Sequence, residues 1–372
     1  MTGQGNSKKI IQHYLYSGLG GHGSVFFSLV GADNEPAFEY RAFFCGIEEL
    51  REEYRNNCLR LNIPFTYLKK KRGLHLGAYF TVFRAFRKNR PDVIFLHGVG
   101  YSIIPALWYK ITRPRTRLLV RDTQAHHLKS KMEWFWMFWC LLIAKRLVVL
   151  TEASANGIKN KFGWWAPSRK LVTISNGLDI EKYKPGNSRR NEGKFIIGMQ
   201  SRLQPIKDHP TLLKAFKMIK DQLTGISVTL YIAGDGETMP AIKALVRELG
   251  IEKDVKLYGM LNEQELLSFM QSLDIYVHAT FGETLSNSIM QAMASGLPVV
   301  ASDVWGVNNM VQHAKNGFLY PSENAAELAS WLKELLTNAA LRKESGSNAR
   351  KFAEDHYSNK VMFESYKKLY SN

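Results

Sequence analysis

Short apolar runs separated by helix-length segments recur along the first half of the chain. The first run, Lys8 to Tyr16, is followed by a glycine-rich turn over 17–23 and an apolar helical segment. Further short runs lie at 93–96, 118–120, 147–150 and 171–174. Such runs, alternating with helices, are typical of parallel strands that are covered on both faces. We therefore predict a Rossmann-like, doubly wound parallel-sheet domain over residues 1–185.

The same alternation restarts after a polar interruption. Residues 185–193 are almost all polar or turn-forming, so the interdomain linker is expected there. The pattern then predicts strands over 195–199, 228–233, 255–258 and 274–278, and helices over 209–223, 239–249 and 263–272. We expect a second Rossmann-like domain over 194–348. A periodic segment over 349–372 predicts a terminal helix that packs back on the first domain.

Charged and turn-forming residues follow two neighbouring strands of the second domain. Arg202 and Lys207 come after the strand at 195–199, and Gly234 ends the next strand. Two such cations can bracket one anion, although solvated loop cations would give the same pattern. Ligands of parallel sheets bind beyond the carboxyl ends of the strands, and two such domains predict a site in the cleft between them.

The segment from 281 to 303 carries the strongest functional signal. Its carboxylate, Glu283, is followed by the small polar residues Thr284 and Ser286 at the start of an amphipathic helix. That helix runs to Gly296, just before Pro298 and a short apolar strand. An exposed helix start that faces a strand end is an anion-binding arrangement.

Together these motifs resemble those of a known family, the family 4 glycosyltransferases. The matching segments, in the family's order and with similar spacing, are Gly18–Gly21, Leu150–Ser154, Ile174–Asp179, Ser201–Lys207, Ala233–Gly236 and Phe281–Ala301. The resemblance covers nearly the whole chain and is densest from 171 to 321. It implies the GT-B fold, in which two Rossmann-like domains face a cleft. It also implies transfer of a sugar from a nucleotide-sugar with retention of configuration, the donor being held mainly by the C-terminal domain.

The resemblance also implies roles for individual residues. Arg202 and Lys207 would neutralise the diphosphate and stabilise it as a leaving group, and Glu283 would contact the transferred sugar. The other residues expected to bind the donor are Gly20, Gly21, Gly234, Thr284, Leu285, Ser286 and Gln291. Glycine and helix-start amides would cradle the phosphates, and Gln291 would hold the ribose.

Two positions depart from the family pattern. Gln291 stands where a second glutamate is expected; it keeps one acceptor oxygen for the ribose but loses the charge. Arg121 follows the strand at 118–120, where many relatives have a histidine that contacts the sugar or a phosphate. Arg121 could replace that contact, or His126 or His127 could supply it. Each histidine could equally be an ordinary loop residue.

Charge is distributed unevenly. Residues 1–185 hold 29 Lys and Arg against 13 Asp and Glu, whereas residues 186–372 hold 21 against 20. This excess predicts an anionic partner for the first domain, although solubilising surface charge would give the same count. The basic and aromatic stretch over 69–90 favours an anionic membrane surface. The aromatic segment over 133–144 could also be interfacial, but its all-round apolar character favours a core helix.

Other features narrow the function. Cys45, Cys58 and Cys140 are widely spaced, which fits a reducing cytosol. No stretch approaches the roughly 20 apolar residues that span a bilayer, and no signal peptide is evident, so we expect a cytoplasmic protein docked on the inner face of the membrane. The chain lacks an Asp-x-Asp motif, and we predict no metal and no cofactor. No nucleic-acid partner is expected, because such a module would leave Glu283 unexplained.

The sequence thus predicts a retaining hexosyltransferase that acts in surface-polysaccharide assembly. Its acceptor would be a saccharide, free or linked to a polyprenyl lipid. Two alternatives stay open: a nucleotide-sugar 2-epimerase of the same fold, and a non-catalytic nucleotide-sugar binder.

Overall fold

The computed structural model describes residues 8–18, 21–34, 37–71, 75–126, 129–186 and 193–371. The chain forms two compact units. The first comprises Met1–Gly177 together with Asn359–Asn372, and the second comprises Leu178–Ser358.

The first unit is built on a seven-stranded sheet in which all strands are parallel. Its strands are β1 (Lys9–Leu15), β2 (Phe38–Gly46), β3 (Phe65–Lys69), β4 (Val93–His97), β5 (Arg117–Arg121), β6 (Arg146–Val149) and β7 (Leu171–Thr173). Its first six helices are α1 (Gly21–Gly31), α2 (Glu52–Arg60), α3 (Leu76–Asn89), α4 (Ile103–Thr112), α5 (Lys131–Ile143) and α6 (Glu152–Phe162). A short 3-10 turn, Gly163–Trp165, follows α6.

The strand order, β3-β2-β1-β4-β5-β6-β7, places helices on both faces of this sheet. The chain moves from β1 to one edge and then from β4 to the other, and right-handed crossovers put α1 and α2 on one face and α3 to α6 on the other. The apolar core divides in the same way. Phe26 of α1 and Tyr54 of α2 belong to one cluster, while Val82 of α3, Ala106 of α4 and Cys140 of α5 belong to another.

The second unit repeats this topology with a six-stranded parallel sheet in the order β10-β9-β8-β11-β12-β13. Its strands are β8 (Lys194–Gln200), β9 (Ser227–Ala233), β10 (Val255–Gly259), β11 (Ile275–His278), β12 (Val299–Ser302) and β13 (Phe318–Tyr320). The remaining helices are α7 (His209–Gln222), α8 (Met239–Glu248), α9 (Glu263–Ser272), α10 (Asn287–Ala294), α11 (Ala325–Thr337), α12 (Ala339–Tyr357) and α13 (Asn359–Ser371). All but α13 belong to the second unit. The prediction of two parallel-sheet α/β domains is confirmed.

The predicted boundary near 185–193 is placed too late in the chain. Residues from Leu178 onwards already pack in the second unit, where the Arg350 guanidinium donates to the carbonyl oxygens of Ile180 at 3.1 Å and Tyr183 at 2.6 Å. The first residues of the second unit therefore precede the predicted linker.

The terminal segment predicted as one helix over 349–372 consists of two helices. Ser358 is extended (φ −70°, ψ 144°), and the Leu178 amide donates to the Tyr357 carbonyl at 2.9 Å, so the helix ends there. The residues before Ser358 belong to the second unit, and α13 packs against α1 in the first, where Phe363 and Tyr366 enter the core.

Candidate functional site

The candidate site lies where the strand order of the second sheet reverses. Strands β8 and β11 are neighbours, and the chain leaves them towards opposite edges of the sheet, which makes their carboxyl ends the expected ligand position. The loops that follow them are joined by backbone contacts. Lys207 and Thr280 form an isolated antiparallel bridge, and the Phe281 amide donates to the Ile206 carbonyl at 2.9 Å. These contacts bring the loop that carries Lys207 against the loop that carries Glu283.

Lys207 and Glu283 form an ion pair in this position. The Lys207 ammonium donates to Glu283 Oε1, and the two side chains are 11% and 19% exposed. Burial, together with the nearby Arg202 cation, lowers the pKa of Lys207 to about 7. Arg202 itself is exposed at the end of β8. The cluster at these strand ends therefore contains an ammonium group that can titrate near neutral pH, a guanidinium and a carboxylate. They belong to Lys207, Arg202 and Glu283, the residues that the sequence predicts to lie here.

His278, the last residue of β11, is a member of the cluster that sequence analysis missed. Its Nε2 lies 2.9 Å from Glu283 Oε1 and 3.4 Å from Ser286 Oγ. Burial and the nearby Lys207 hold the pKa of His278 well below its usual value, so the ring is neutral. Because a carboxylate only accepts hydrogen bonds, the neutral ring carries its proton on Nε2 and donates it to Glu283. The signal in the sequence is the spacing of this histidine, five positions before the glutamate.

Two glycines allow the end of β9 to approach the end of β8. Gly234 has a φ of +132°, and a Cβ there would lie 1.8 Å from the Ser201 carbonyl oxygen. Gly236 has a φ of +157°, and its Cβ would lie 2.2 Å from the Leu203 carbonyl oxygen. A larger residue would thus displace the loop that carries Arg202. Gly234 contributes to the site through this close packing.

The start of α10 differs in detail from the expected phosphate cradle. Ser286 is its N-cap, with Oγ accepting from the Ile289 amide at 3.4 Å. The Ser286 amide, expected to bind phosphate, lies 3.2 Å from Met310 Sδ and donates to that sulfur. Thr284 and Leu285 are partly buried in the loop before the cap.

Gln291 lies on α10, and its side chain contacts the N-terminal segment of the second unit. Its side-chain amide donates to the Tyr183 hydroxyl at 2.9 Å. This contact uses one of the two amide protons and leaves the carbonyl oxygen of Gln291 as the acceptor that a ribose hydroxyl would need.

The residues predicted for the acceptor side belong to the first unit. Arg121 ends β5 and is only 1% exposed; its Nη2 donates to Asn176 Oδ1, whereas Nε and Nη1 have no hydrogen-bond partner in the described part of the chain. His126 packs edge-on against Trp134, with ring centroids 5.2 Å apart. Gly21 begins α1 after the β1 loop. Gly20 and His127 lie outside the described residues.

A cavity of about 180 Å³ opens at the carboxyl edge of the first sheet, beside β1 and β4. Sequence analysis did not identify it. Its walls are mainly aromatic, and they include Tyr16, Tyr79, Tyr101, Lys70, His97 and Ser102. His97 Nε2 lies 2.8 Å from His13 Nδ1, and burial lowers the pKa of His13 to about 3 and that of His97 well below its usual value. The lining of the cavity therefore combines tyrosine side chains, a neutral imidazole and one ammonium group.

Two family models match the chain. The model described as Glycosyl transferases group 1 matches residues 181–352, and the model described as Glycosyltransferase Family 4 matches residues 19–182. Together they span nearly all of both units.

Among curated relatives, the capsular polysaccharide biosynthesis glycosyltransferase CapM of Staphylococcus aureus is 25% identical over 77% of this chain and 78% of its own length. The poly(ribitol-phosphate) alpha-N-acetylglucosaminyltransferase of the same species is 27% identical over 61% of this chain and 44% of its own length. The chain spans about half the length of most of the curated relatives it matches.

Solved structures share the fold. Anabaena Alr3699/HepE in complex with UDP and glucose superposes with a TM-score of 0.82 at 19% identity, over 98% of this chain and 100% of that one. The lipopolysaccharide outer core galactosyltransferase WaaB gives a TM-score of 0.71 at 17% identity, over 97% of this chain and 99% of that one.

Proposed function

The chain belongs to the family 4 glycosyltransferases, with the GT-B fold, and we propose that it transfers a hexosyl-type sugar from a nucleotide-sugar to a saccharide acceptor with retention of configuration. The relatives that act in capsular polysaccharide biosynthesis and on poly(ribitol-phosphate) support a role in surface-polysaccharide assembly. We also propose that the acceptor is lipid-linked and that the enzyme works at a membrane surface, which the excess positive charge of the first half supports.

The observation that carries this proposal is the contact between Lys207 and Glu283 at the strand ends of the second sheet. When the bond between the anomeric carbon and the diphosphate breaks, negative charge develops on the leaving diphosphate. Arg202 supplies positive charge at that position, and Lys207 adds to it when protonated, in a partly buried site where such charge is most effective. These cations perform the charge neutralisation, and Glu283, oriented by His278, binds the transferred sugar.

The remaining donor contacts follow from the same geometry. The amide of Leu285 and the hydroxyl of Thr284, in the loop before α10, bind phosphate oxygens at the positive end of that helix. The Ser286 hydroxyl caps α10, and its amide donates to the weak acceptor Met310 Sδ, which a phosphate oxygen would replace. Gln291 binds the ribose through its carbonyl oxygen. Gly20 and Gly21 are proposed as phosphate contacts from the resemblance of their motif to the family's.

The cavity beside β1 and β4 is our candidate for the acceptor. Carbohydrate rings stack on aromatic side chains, and Tyr16 and Tyr101 are the partly exposed tyrosines that line this cavity. Lys70 would bind a phosphate or carboxylate on the acceptor. Arg121 lies buried at the end of the neighbouring strand β5. Arg121, His126 and His127 are proposed for the acceptor or sugar side from the family pattern alone.

The proposal is tested by incubating the purified protein with UDP-, GDP- and ADP-sugars and measuring release of nucleoside diphosphate. A glycosyltransferase should release it from one donor, slowly to water and faster with a saccharide acceptor. Lys207→Ala should abolish release. Lys220→Ala is a matched control, because Lys220 forms a comparable ion pair with Asp254 at 2.9 Å away from these strand ends.

Other outcomes identify the alternatives. A non-catalytic binder would bind one nucleotide-sugar without releasing diphosphate, and a 2-epimerase would change the configuration of the donor sugar without needing an acceptor. Normal release by Lys207→Ala would contradict the site assignment.

A further inference from the structure

Exposed apolar side chains are concentrated on one helical layer of the first unit. Thirteen large apolar side chains are exposed among the described residues, and nine of them lie on α3 to α6 or the 3-10 turn. These helices share one face of the first sheet, as the strand order requires. Monomeric proteins rarely expose a contiguous apolar patch of this kind without a partner.

Helix α5 and the 3-10 turn form the centre of this layer. We define the α5 face as the six exposed residues Met132, Phe135, Trp139, Leu142, Trp164 and Trp165. The first four recur at a spacing of three or four residues, so they form one stripe along the helix, while Met137, Cys140 and Leu141 bury its opposite side. Phe135 is 50% exposed and Trp164 is 77% exposed.

The turn extends this stripe beyond the helix. The rings of Trp164 and Trp165 have centroids 3.8 Å apart, and Trp165 packs against Phe138 of α5 at 5.5 Å. Capping also fixes the helix rigidly at its start, where Ser130 and Glu133 form a reciprocal capping box. The aromatic side chains are therefore presented on an ordered element.

Basic residues surround this apolar face. Residues 76–170 contain 17 Lys and Arg against four Asp and Glu. Lys131 and Lys145 are exposed at the two ends of α5, and Lys161 and Arg169 are exposed on either side of the turn. The acidic side chains near α5 are already used: Asp122 is paired with the buried Lys129 at 2.6 Å, and Glu133 closes the capping box.

This combination identifies one kind of partner. Tryptophan and phenylalanine favour the boundary between headgroups and acyl chains, and flanking lysine and arginine bind lipid phosphates. No helix within the described ranges has the length and hydropathy to cross a membrane. An apolar stripe with a basic border, on a helix that cannot span, fits the plane of a bilayer surface.

We propose that the α5 face docks on an anionic phospholipid bilayer, with its aromatic side chains entering the interface and the flanking cations contacting lipid phosphates. The proposed function includes a membrane partner, and the α5 face is the surface that would contact it. The choice of a membrane as the partner rests on that proposed function, whereas the choice of surface does not. It also replaces the basic stretch over 69–90 as the principal contact. Among the described residues of that stretch, 69–71 and 75–90, Leu76 and Phe80 of α3 are the exposed large apolar residues.

The test is binding to vesicles, measured by co-sedimentation without donor or acceptor. Vesicles of phosphatidylcholine alone are compared with vesicles that also contain phosphatidylglycerol. We expect the protein to bind the anionic vesicles, with a blue shift of tryptophan fluorescence, and the double variant Phe135→Ala/Trp139→Ala to bind at least about tenfold more weakly. The charge variant Lys131→Gln/Lys145→Gln should bind anionic vesicles more weakly and reduce the salt dependence.

Matched controls remove exposed apolar residues elsewhere. Leu59→Ala on α2 and Met260→Ala in the second unit should bind vesicles as the unchanged protein does, because both side chains are exposed but lie outside the layer. Leu76→Ala/Phe80→Ala on α3 tests the region that the sequence favours. Release of nucleoside diphosphate without vesicles, together with circular dichroism, shows that each variant is folded.

Several results would overturn the proposal. These are absence of binding to anionic vesicles at low salt, unchanged binding by the α5 double variant, or loss of binding only in the α3 variant. If the α5 variant instead converts a dimer to a monomer in sedimentation analysis while vesicle binding persists, the face is a protein interface. Docking can fail while diphosphate release persists, and release can fail while docking persists, so the two proposals are tested separately.

Discussion

The pKa of Lys207 leads to a pH dependence of donor binding. Burial and the nearby Arg202 cation lower this pKa to about 7 before the donor binds. A bound diphosphate favours the charged ammonium and raises the pKa again. Binding above about pH 7 therefore requires uptake of a proton, so affinity is full below that pKa and falls as the pH rises.

The magnitude follows from proton linkage. Each pH unit between the pKa values of the free and bound states costs about 1.4 kcal/mol, or a factor of about ten in the dissociation constant. If the bound pKa lies near 9, the affinity for donor falls about 25-fold, or about 1.9 kcal/mol, from about pH 7 to about pH 9, and about 100-fold, or about 2.7 kcal/mol, over the whole transition.

The assay is isothermal titration calorimetry, across this pH range, with the nucleotide-sugar that the release assay identifies as the donor. The nucleotide-sugar is preferred to the free nucleoside diphosphate because a terminal phosphate itself titrates near pH 6 and would mask the effect. Measurements in two buffers of different ionisation enthalpy count the protons taken up. They should give close to one proton per donor at about pH 8.

Two variants define the limits of this behaviour. In Lys207→Arg the guanidinium stays charged across the range, so binding should not depend on pH between about 7 and 9. In Lys207→Ala binding should be weak at every pH, and the affinity of the unchanged protein should approach that of the variant at high pH. If the unchanged protein binds equally well across the range while Lys207→Ala binds weakly, Lys207 is charged throughout and the reasoning is wrong.

Three further predictions concern stability and the donor site. Burial lowers the pKa of His209 to about 4. Its contribution to the free energy of unfolding is therefore complete above about pH 6.5, and acidification to about pH 5 removes about 2 kcal/mol of it. The stability of His209→Gln in urea unfolding should depend less on pH than that of the unchanged protein, and an equal slope would contradict this. Gly234→Ala should destabilise the protein by about 3 kcal/mol or more in urea unfolding, because its Cβ would meet a backbone carbonyl oxygen at 1.8 Å. Gly250→Ala, with a φ of +65° and open space around it, should cost only about 1 kcal/mol, and equal losses would refute the steric argument. Gln291→Glu should keep or raise the rate of diphosphate release, because a carboxylate can accept both the Tyr183 hydroxyl and a ribose hydroxyl, whereas a complete loss would exclude the ribose assignment.

The two sheets could be predicted because a parallel strand that is buried on both faces appears as a short apolar run. The second sheet was predicted more completely, since its strands alternate regularly with helices of ordinary length. In the first, β2 and β3 were not identified. β3 carries Thr66 and Lys69 as exposed residues at the sheet edge, so its pattern lacks the continuous apolar run of an inner strand.

Helix α5 shows a limit of reasoning from periodicity. Its segment is apolar at almost every position, and such a pattern favours a core helix because it does not distinguish the inner face from the outer one. In the structure only Met137, Cys140 and Leu141 are buried. The exposed stripe becomes apparent only when the position of the helix on the sheet is known.

The candidate site was predicted in part for a similar reason. Arg202, Lys207 and Glu283 follow strands whose carboxyl ends meet in any parallel sheet with this order, so their proximity follows from topology. The role of His278 depends on how two loops fold against each other, through the bridge between Lys207 and Thr280. The five-residue spacing between His278 and Glu283 does not by itself predict such a contact.

The protonation states in this cluster explain why a lysine with a lowered pKa suits the site. With His278 neutral, the charges that change are confined to Lys207, while Arg202 stays cationic and Glu283 is available as the counter-charge. Burial of the ammonium is the main cause of the lowered pKa of Lys207, and repulsion from the nearby Arg202 cation adds to it; both make the charged form costly. A diphosphate removes the cost, because its two negative charges stabilise both cations. Donor binding and proton uptake are therefore coupled, and the charge that stabilises the leaving group is completed only when the diphosphate is bound.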